Sequence, residues 1–339
     1  MDLNSFLSSN KYIAIPSKKK PKVFLAIDNK EISQLSFELY NPFSLKAKFL
    51  KLVLRFVFLN FNSIAKRIFP LVRARKSIFI MHLEQSLEKE INSSLYISTD
   101  LDKVVIQLVS KNVILGYAKY PLKNNAVKKI ENEKNAIEIL SKDKIVAPLL
   151  HYSVYKDKPI IVTKHEVGNV KILSAAEYKP TLLKFKQKNK VRLINHSRIK
   201  SIRKELELHE LNELVVLLDN LISISKQEYH DAYEHGDFAP WNLLYLDGKV
   251  IPFDFEFFVE KGIDFFDEIK YNVQIEKLLN GKNGKDLINA ISTKVIIDEF
   301  NIIFIIFLMK EIIEKIKAST PYCQELSLIN ILRNNELKY

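Results

Sequence analysis

Three side chains with oxygen donors stand at fixed intervals in two short stretches. In His235-Gly236-Asp237-Phe238-Ala239-Pro240-Trp241-Asn242, Asn242 follows Asp237 by five residues. In Ile251-Pro252-Phe253-Asp254-Phe255-Glu256, Asp254 stands twelve residues beyond Asn242. The sequence between them predicts a geometry. Leu243-Leu244-Tyr245, then Asp247-Gly248, then Val250-Ile251 and Phe253 read as a hairpin turning at Asp-Gly. A hairpin returns the chain, so Asp254 is expected to come back beside Asn242. Oxygen ligands on adjacent strand ends suit Mg²⁺, which keeps several waters and takes few protein ligands. The plainer alternative is a turn whose Asp and Asn only cap backbone groups. It does not account for two spacings and a hairpin that agree.

Phosphoryl transfer uses such a set. One carboxylate orients the attacking hydroxyl and takes its proton, while an amide oxygen and a second carboxylate hold the metal ions on the nucleotide phosphates. The protein-kinase loop H-R-D-x-x-x-x-N has the same Asp-to-Asn spacing, with Gly236 here in place of the Arg. His-Gly-Asp-Phe-x-Pro-Trp-Asn followed by x-Asp-Phe-Glu resembles the aminoglycoside phosphotransferase-like family of small-molecule kinases, in its sugar and lipopolysaccharide kinase-like branch. The resemblance implies an α+β, two-lobed protein-kinase-like fold, with a small antiparallel-sheet N-lobe and a mainly helical C-lobe. It implies Asp237 as catalytic base, His235 as a brace of the loop, and Asn242 and Asp254 as Mg²⁺ ligands. Ala239 stands where protein serine/threonine kinases usually carry a Lys, which disfavours a protein acceptor.

The upstream sequence offers the rest of such a site. Leu95 to Thr99, Lys103 to Val109 and Val113 to Lys119 are rich in Val and Ile and predict a three-stranded meander. A helix is predicted over Asn125 to Leu140. In kinase-like folds a strand Lys contacts the α/β-phosphates and pairs with a helix Glu. Lys119 and Glu133 occupy those places, with Glu131 as the competitor and two exposed surface charges as the plainer alternative. No glycine-rich loop is present: the first strand pair turns at Ser98-Thr99-Asp100, where Ser98 and Thr99 are the remaining candidates to meet phosphate. Strands are predicted at Leu149 to Val154 and Pro159 to Thr163. By resemblance, His165 and Glu166 then open the hinge whose backbone meets the adenine edge, His165 being read as an exposed loop residue.

Beyond the hinge the sequence reads as helical, with a stripe of Leu, Val and Ile over Leu206 to Ile224. Gly262 to Asp267 is read as the start of another helix, with Asp264 as its N-cap. By resemblance, Asp267 supports the catalytic loop by accepting its backbone N–H groups. Lys294 to Lys317 and Pro321 to Leu332 are read as further helices, and Ile302 to Met309 as a buried run.

The 339 residues are 47% apolar and 27% charged, as in globular proteins, and one cysteine, Cys323, excludes an internal disulfide and a Cys-based metal site. No signal peptide is visible at the start, which predicts a cytoplasmic protein, with the inner face of the membrane as a second possibility. The net charge of +12 accompanies no nucleic-acid motif, and no nucleic-acid partner is expected. The expected partners are ATP or GTP and a small hydroxylated acceptor, a sugar or glycolipid. The alternative is a pseudokinase-like nucleotide-binding regulator or scaffold. Residues 1–90 read as an extension, with strands at Tyr12 to Ile15 and Val23 to Ile27 around a basic turn at Pro16 to Pro21. Leu45 to Phe61, with Lys46, Lys48, Lys51 and Arg55 interspersed, is too short and too charged to span a bilayer. It reads as a helix packed on the domain, or one lying on a membrane surface. Residues 91–165 are expected as the N-lobe and 166–339 as the C-lobe.

Overall fold

The sheet that carries Lys119 is larger than the meander the sequence predicts. The structure is a computed structural model that describes residues 3–8, 10–15, 21–39, 43, 45–60, 71–98 and 100–336. Its first strands are β1 (Lys11–Ile15) and β2 (Val23–Ala26), followed by helices α1 (Lys30–Ser36) and α2 (Leu45–Asn60). Next come β3 (Leu71–Arg73), α3 (Ile78–Leu87) and the meander β4 (Asn92–Ile97), β5 (Lys103–Ser110) and β6 (Val113–Pro121). Helix α4 (Asn125–Leu140) and strands β7 (Leu149–Tyr155) and β8 (Lys158–Lys164) complete the series. Among the described residues the strands form one antiparallel sheet in the order β3-β1-β2-β4-β5-β6-β8-β7.

Residues 1–90 were expected as an extension ahead of a lobe. Instead, β2 pairs with β4 at Val23↔Tyr96 and Phe24↔Leu95, so the N-terminal strands continue the same sheet. Their helices cover it. Alternate residues of a strand face opposite sides. One face carries Tyr12, Phe24, Leu95, Ile106 and Ala118 and packs on Phe79, Ile80 and Leu83 of α3. The other carries Ile13 and Leu25 and packs on Phe37 and Phe58, with Leu54 and Val57 of α2 beside them. Cover on both faces is why all eight residues of β5 are buried. Phe49, Leu50, Leu52 and Val53, on the far side of α2, stay exposed. Of the basic turn expected over Pro16 to Pro21, residues 16–20 lie outside the described residues.

The chain divides into two compact units: 1–171 with 243–256, and 172–242 with 257–339. The second begins with α5 (Ala175–Phe185), β9 (Lys186–Arg192), α6 (Ser197–Leu208), α7 (Asn212–Ile224) and β10 (Glu228–Glu234). The hairpin β11 (Leu243–Leu246) and β12 (Lys249–Pro252) then belongs to the first unit, where an isolated bridge joins Tyr245 to Asn169. This hairpin was expected within the C-lobe. The second unit resumes with β13 (Val259–Ile263), α8 (Phe266–Gln274), α9 (Gly284–Ser292), α10 (Phe300–Lys317) and α11 (Cys323–Glu336). Its core gathers around α10, where Ile302 through Met309 are all buried, as the unbroken apolar run predicts. Each such side chain contributes about 1.5–3 kcal/mol on burial.

Several expectations need correction here. The second unit is not helical throughout, because β13-β10-β9 form an antiparallel sheet. Strand β9, Lys-Gln-Lys-Asn-Lys-Val-Arg, is a largely exposed edge with almost no apolar alternation to announce it. The helix expected over Leu206 to Ile224 breaks between α6 and α7, where Glu210 takes a left-handed φ of 57°. Gly262 and Ile263, the first two residues of the segment read as helix, instead end strand β13, which pairs with β10. Helix α8 starts only after Phe265, at φ 79°. The helix expected from Lys294 begins at Phe300.

Candidate active site

Each unit holds a cluster of charged side chains around residues that the motifs single out. In the first unit the hairpin β11–β12 pairs Leu243 with Pro252 and turns at Asp247-Gly248, as its sequence predicts. Asp254 follows it at φ 67°, a left-handed conformation that costs a non-glycine residue about 1–3 kcal/mol. The bend sets its carboxylate against β5 and β6. Asp254 Oδ1 accepts from Lys119 Nζ at 2.6 Å and from Lys103 Nζ at 3.2 Å.

Lys119 also donates to both Glu133 oxygens at 2.7 Å. Of the two glutamates weighed on α4, Glu133 is buried and engaged, while Glu131 is exposed. Burial penalises the charges of Lys119 and Asp254, but their mutual attraction outweighs it. Lys119 is raised by Asp254 and Glu133, and Asp254 is held well below the usual carboxylate range by Lys119 and Lys103. Glu133 is raised, by burial first, against the pull of Lys119.

The pairs continue on both sides of Asp254. Lys103 donates to Glu256 Oε2 at 2.7 Å, Glu256 lies 3.8 Å from Lys129, and Lys129 pairs with Asp102 at 3.0 Å. Sequence reasoning missed Lys103. It stood at the head of a predicted strand, and only the register, which sets Val105 opposite Lys119, puts it on the same face.

The other nucleotide candidates are placed differently. Ser98 does not offer its hydroxyl outward. It donates to Asp102 Oδ1 at 2.6 Å and accepts from the backbone N–H of Asp102 and Lys103, stapling the turn. Thr99 lies outside the described residues. His165 is not an exposed loop residue: it is half-buried, with Nδ1 3.3 Å from the Tyr117 hydroxyl, and its backbone N–H donates to Leu115 O. Burial lowers its pKa. Glu166 lies 3.9 Å from Lys164.

The second unit holds the loop after β10. Asp267, near the start of α8, accepts from the backbone N–H of His235 at 2.7 Å and of Gly236 at 3.1 Å. Gly236 has φ 82°, and a Cβ there would lie 2.5 Å from Phe257 O, so only glycine fits the bend. The buried His235 ring accepts the Asp237 N–H on Nδ1 at 3.3 Å and meets the Phe238 ring edge to face. Asn242 donates Nδ2 to Asp237 O at 2.9 Å and to Asp237 Oδ2 at 2.8 Å, leaving its Oδ1 as the end not engaged with Asp237. Asp264 is not the N-cap expected of it. The cap position is Phe265, and Asp264 pairs with Lys186 at 2.8 Å.

Around this loop stand cations the sequence did not flag. Lys310, buried at the end of the apolar run in α10, donates to Gly236 O at 3.1 Å and pairs with Glu311 at the same distance. Lys270 on α8 lies 3.8 Å from Asp237 Oδ1 and 2.8 Å from Glu311. Arg198 holds Glu234 through two bonds of 3.0 and 2.9 Å. Burial, and then the Glu234 charge, push Asp267 up to about 7, against the N–H bonds and Lys310.

No protein-family model matches the chain, and no curated protein matches it. Solved structures do. A thermostable mutant of aminoglycoside phosphotransferase APH(4)-Ia in its apo form matches with a TM-score of 0.51 at 9% identity, over 76% of this chain and 99% of that one. The protein has the aminoglycoside phosphotransferase fold. It is the α+β, two-lobed protein-kinase-like architecture that the motif led one to expect. ADP-bound APH(2'')-Ib matches with a TM-score of 0.43 at 14% identity, over 74% of this chain and 95% of that one. Amicoumacin kinase hAmiN in complex with AMP-PNP, Ca²⁺ and Ami gives 0.41 at 13%, over 71% and 86%. Likeness at these identities is a likeness of fold, so the chemistry rests on this chain's own side chains.

Proposed function

We propose that the protein is an ATP-dependent phosphotransferase that moves the γ-phosphate to a hydroxyl of a small molecule. The observation that carries this reading is the Lys119–Glu133 and Lys119–Asp254 pairing, a buried strand lysine held by a helix carboxylate and shared with the carboxylate after the hairpin. Lys119 would bind the α- and β-phosphates, with Glu133 fixing its ammonium. Asp237, presented by a loop pinned through Asp267 and His235, would orient the acceptor hydroxyl and take its proton. Orientation and charge neutralisation would supply most of the rate.

The donor set fits Mg²⁺. Asp254 and Asn242 offer hard oxygens, and among the described residues no cluster of three or more His, Cys, Asp or Glu is present that would suit a metal caged by protein alone. Asp254 would take the ion, and the resemblance assigns a further oxygen to Asn242. The bound ion neutralises phosphate charge.

A sugar or glycolipid is the acceptor class we favour; the net charge of +12 disfavours a polycationic acceptor and suits an acidic sugar or anionic glycolipid. The exposed Phe49, Leu50, Leu52 and Val53 of α2 support contact with a membrane surface, where a glycolipid would lie. Among the described residues no helix is long and apolar enough to cross a membrane. A second reading, a nucleotide-binding regulator without transfer, draws on the glycine-free turn whose Ser98 hydroxyl is used internally.

Thermal shift with ATP and GTP, with and without Mg²⁺, tests the reading. The wild type should be stabilised only with the ion, and Asp254→Ala should lose that response. Phosphate transfer to a panel of sugars then separates enzyme from regulator. A wild type that responds to neither nucleotide refutes both.

A further inference from the structure

We propose that Lys103 is a second phosphate-binding cation, supplying to a bound nucleoside polyphosphate the positive charge that glycine-rich backbone amides supply elsewhere. The inference rests on the nucleotide site proposed above and adds a residue to it.

The argument begins with the turn between β4 and β5. Glycines in such a turn let backbone N–H groups approach phosphate. This turn has none, and among its described residues the N–H groups of Ser98, Leu101, Asp102 and Lys103 are used at home. Ser98 N–H donates to Lys103 O, and the N–H groups of Asp102 and Lys103 donate to the Ser98 hydroxyl. A polyphosphate bound here would need its charge met by side chains.

Lys103 is placed to do so. It lies two residues before Val105, the register partner of Lys119, so the two lysines project from one face of adjacent strands. Both donate to the same oxygen, Asp254 Oδ1. Each also has a carboxylate of its own: Glu133 for Lys119 and Glu256 for Lys103, both at 2.7 Å. Were Asp254 to hold a divalent cation, Glu133 would still pair Lys119 and Glu256 would still pair Lys103, so both ammoniums would stay oriented.

A purely structural lysine would not need this arrangement. Two ammoniums on one oxygen repel, and burying a cation is costly unless its partners repay it. Asp102, Lys129, Glu256, Lys103, Asp254, Lys119 and Glu133 form an alternating chain with one net negative charge. A divalent ion on Asp254 makes that net charge positive, which an anionic polyphosphate would then meet.

The experiment compares the wild type with Lys103→Ala, Lys103→Gln and Lys103→Arg, by calorimetric titration with Mg·ATP, Mg·ADP and adenosine. Loss of a charge-assisted contact predicts that Lys103→Ala weakens both nucleotides by roughly tenfold or more, with adenosine within about twofold. Lys103→Arg should restore most of the loss. If Lys103→Ala does not fold, Lys103→Gln carries the same comparison. Wild-type affinity for Mg·ATP in the neutral variants would overturn the proposal while leaving the kinase reading intact. So would an equal loss for adenosine, the mark of a structural role. A wild type that binds neither nucleotide would overturn the kinase reading itself.

Discussion

Replacing Asp267 with Asn makes a prediction whose size and pH dependence follow from the structure. The Asp267 carboxylate is buried, accepts two backbone N–H groups of the loop that carries Asp237, and lies near Glu234. Asn keeps one oxygen and turns its NH₂ toward the other N–H. One buried donor is then unsatisfied, at a cost of about 1–3 kcal/mol. A second contribution depends on pH. Burial and Glu234 raise Asp267 to about 7 from an unfolded value of 3.8, so the folded protein holds this proton more tightly than the unfolded chain does. Its contribution to stability is therefore fully present below pH 3.8 and is lost as pH rises through 7. Between pH 5 and pH 8 the loss is about 2–3 kcal/mol. Asn does not titrate, so the destabilisation by Asp267→Asn should be large at pH 5 and shrink by about that amount at pH 8. Urea unfolding of both proteins across this range measures it. A difference that stays constant with pH would refute the reasoning. The two N–H bonds and Lys310 would then have kept the carboxylate ionised throughout.

Asp237→Asn should retain nucleotide binding while turnover falls by at least ~10², the low end for removing a general base, as measured by steady-state phosphate transfer. Normal turnover would remove Asp237 from the role of base. Gly236→Ala forces a left-handed φ on a residue whose Cβ would meet Phe257 O at 2.5 Å. It should lower stability by at least ~1 kcal/mol and reduce transfer, read by thermal unfolding and the same assay. Glu133→Gln leaves buried Lys119 with Asp254 as its remaining carboxylate. A loss of about 3 kcal/mol in urea unfolding is expected, the low end for breaking a buried pair, together with weaker Mg·ATP binding.

The parts of the candidate site legible in the sequence are those whose signal is local. The hairpin at Asp247-Gly248, helix α4 and the strand that carries Lys119 follow from periodicity and turn chemistry within a few residues, whereas Glu133 within α4 was singled out by the resemblance. Lys103, Lys270 and Lys310 were not legible, because nothing local sets them apart among 52 Lys and Arg residues. Lys103 owes its place to strand register, and Lys310 owes its place to a buried helix reaching the Gly236 carbonyl. Ser98 and Asp264 were misplaced for a related reason: a short polar side chain at a turn has several partners in reach, and packing chooses among them.

By itself the sequence determined the chemistry available: which residues carry oxygen donors and cations, at what spacing, on which local elements. The tertiary structure decided which charges become partners. The alternating chain from Asp102 to Glu133 joins residues from a turn, two strands, a helix and the segment after a distant hairpin. No local pattern encodes such a chain. Its order is set by the pleat and register of β5 against β6 and by the left-handed bend at Asp254, and burial then makes each of those pairings matter.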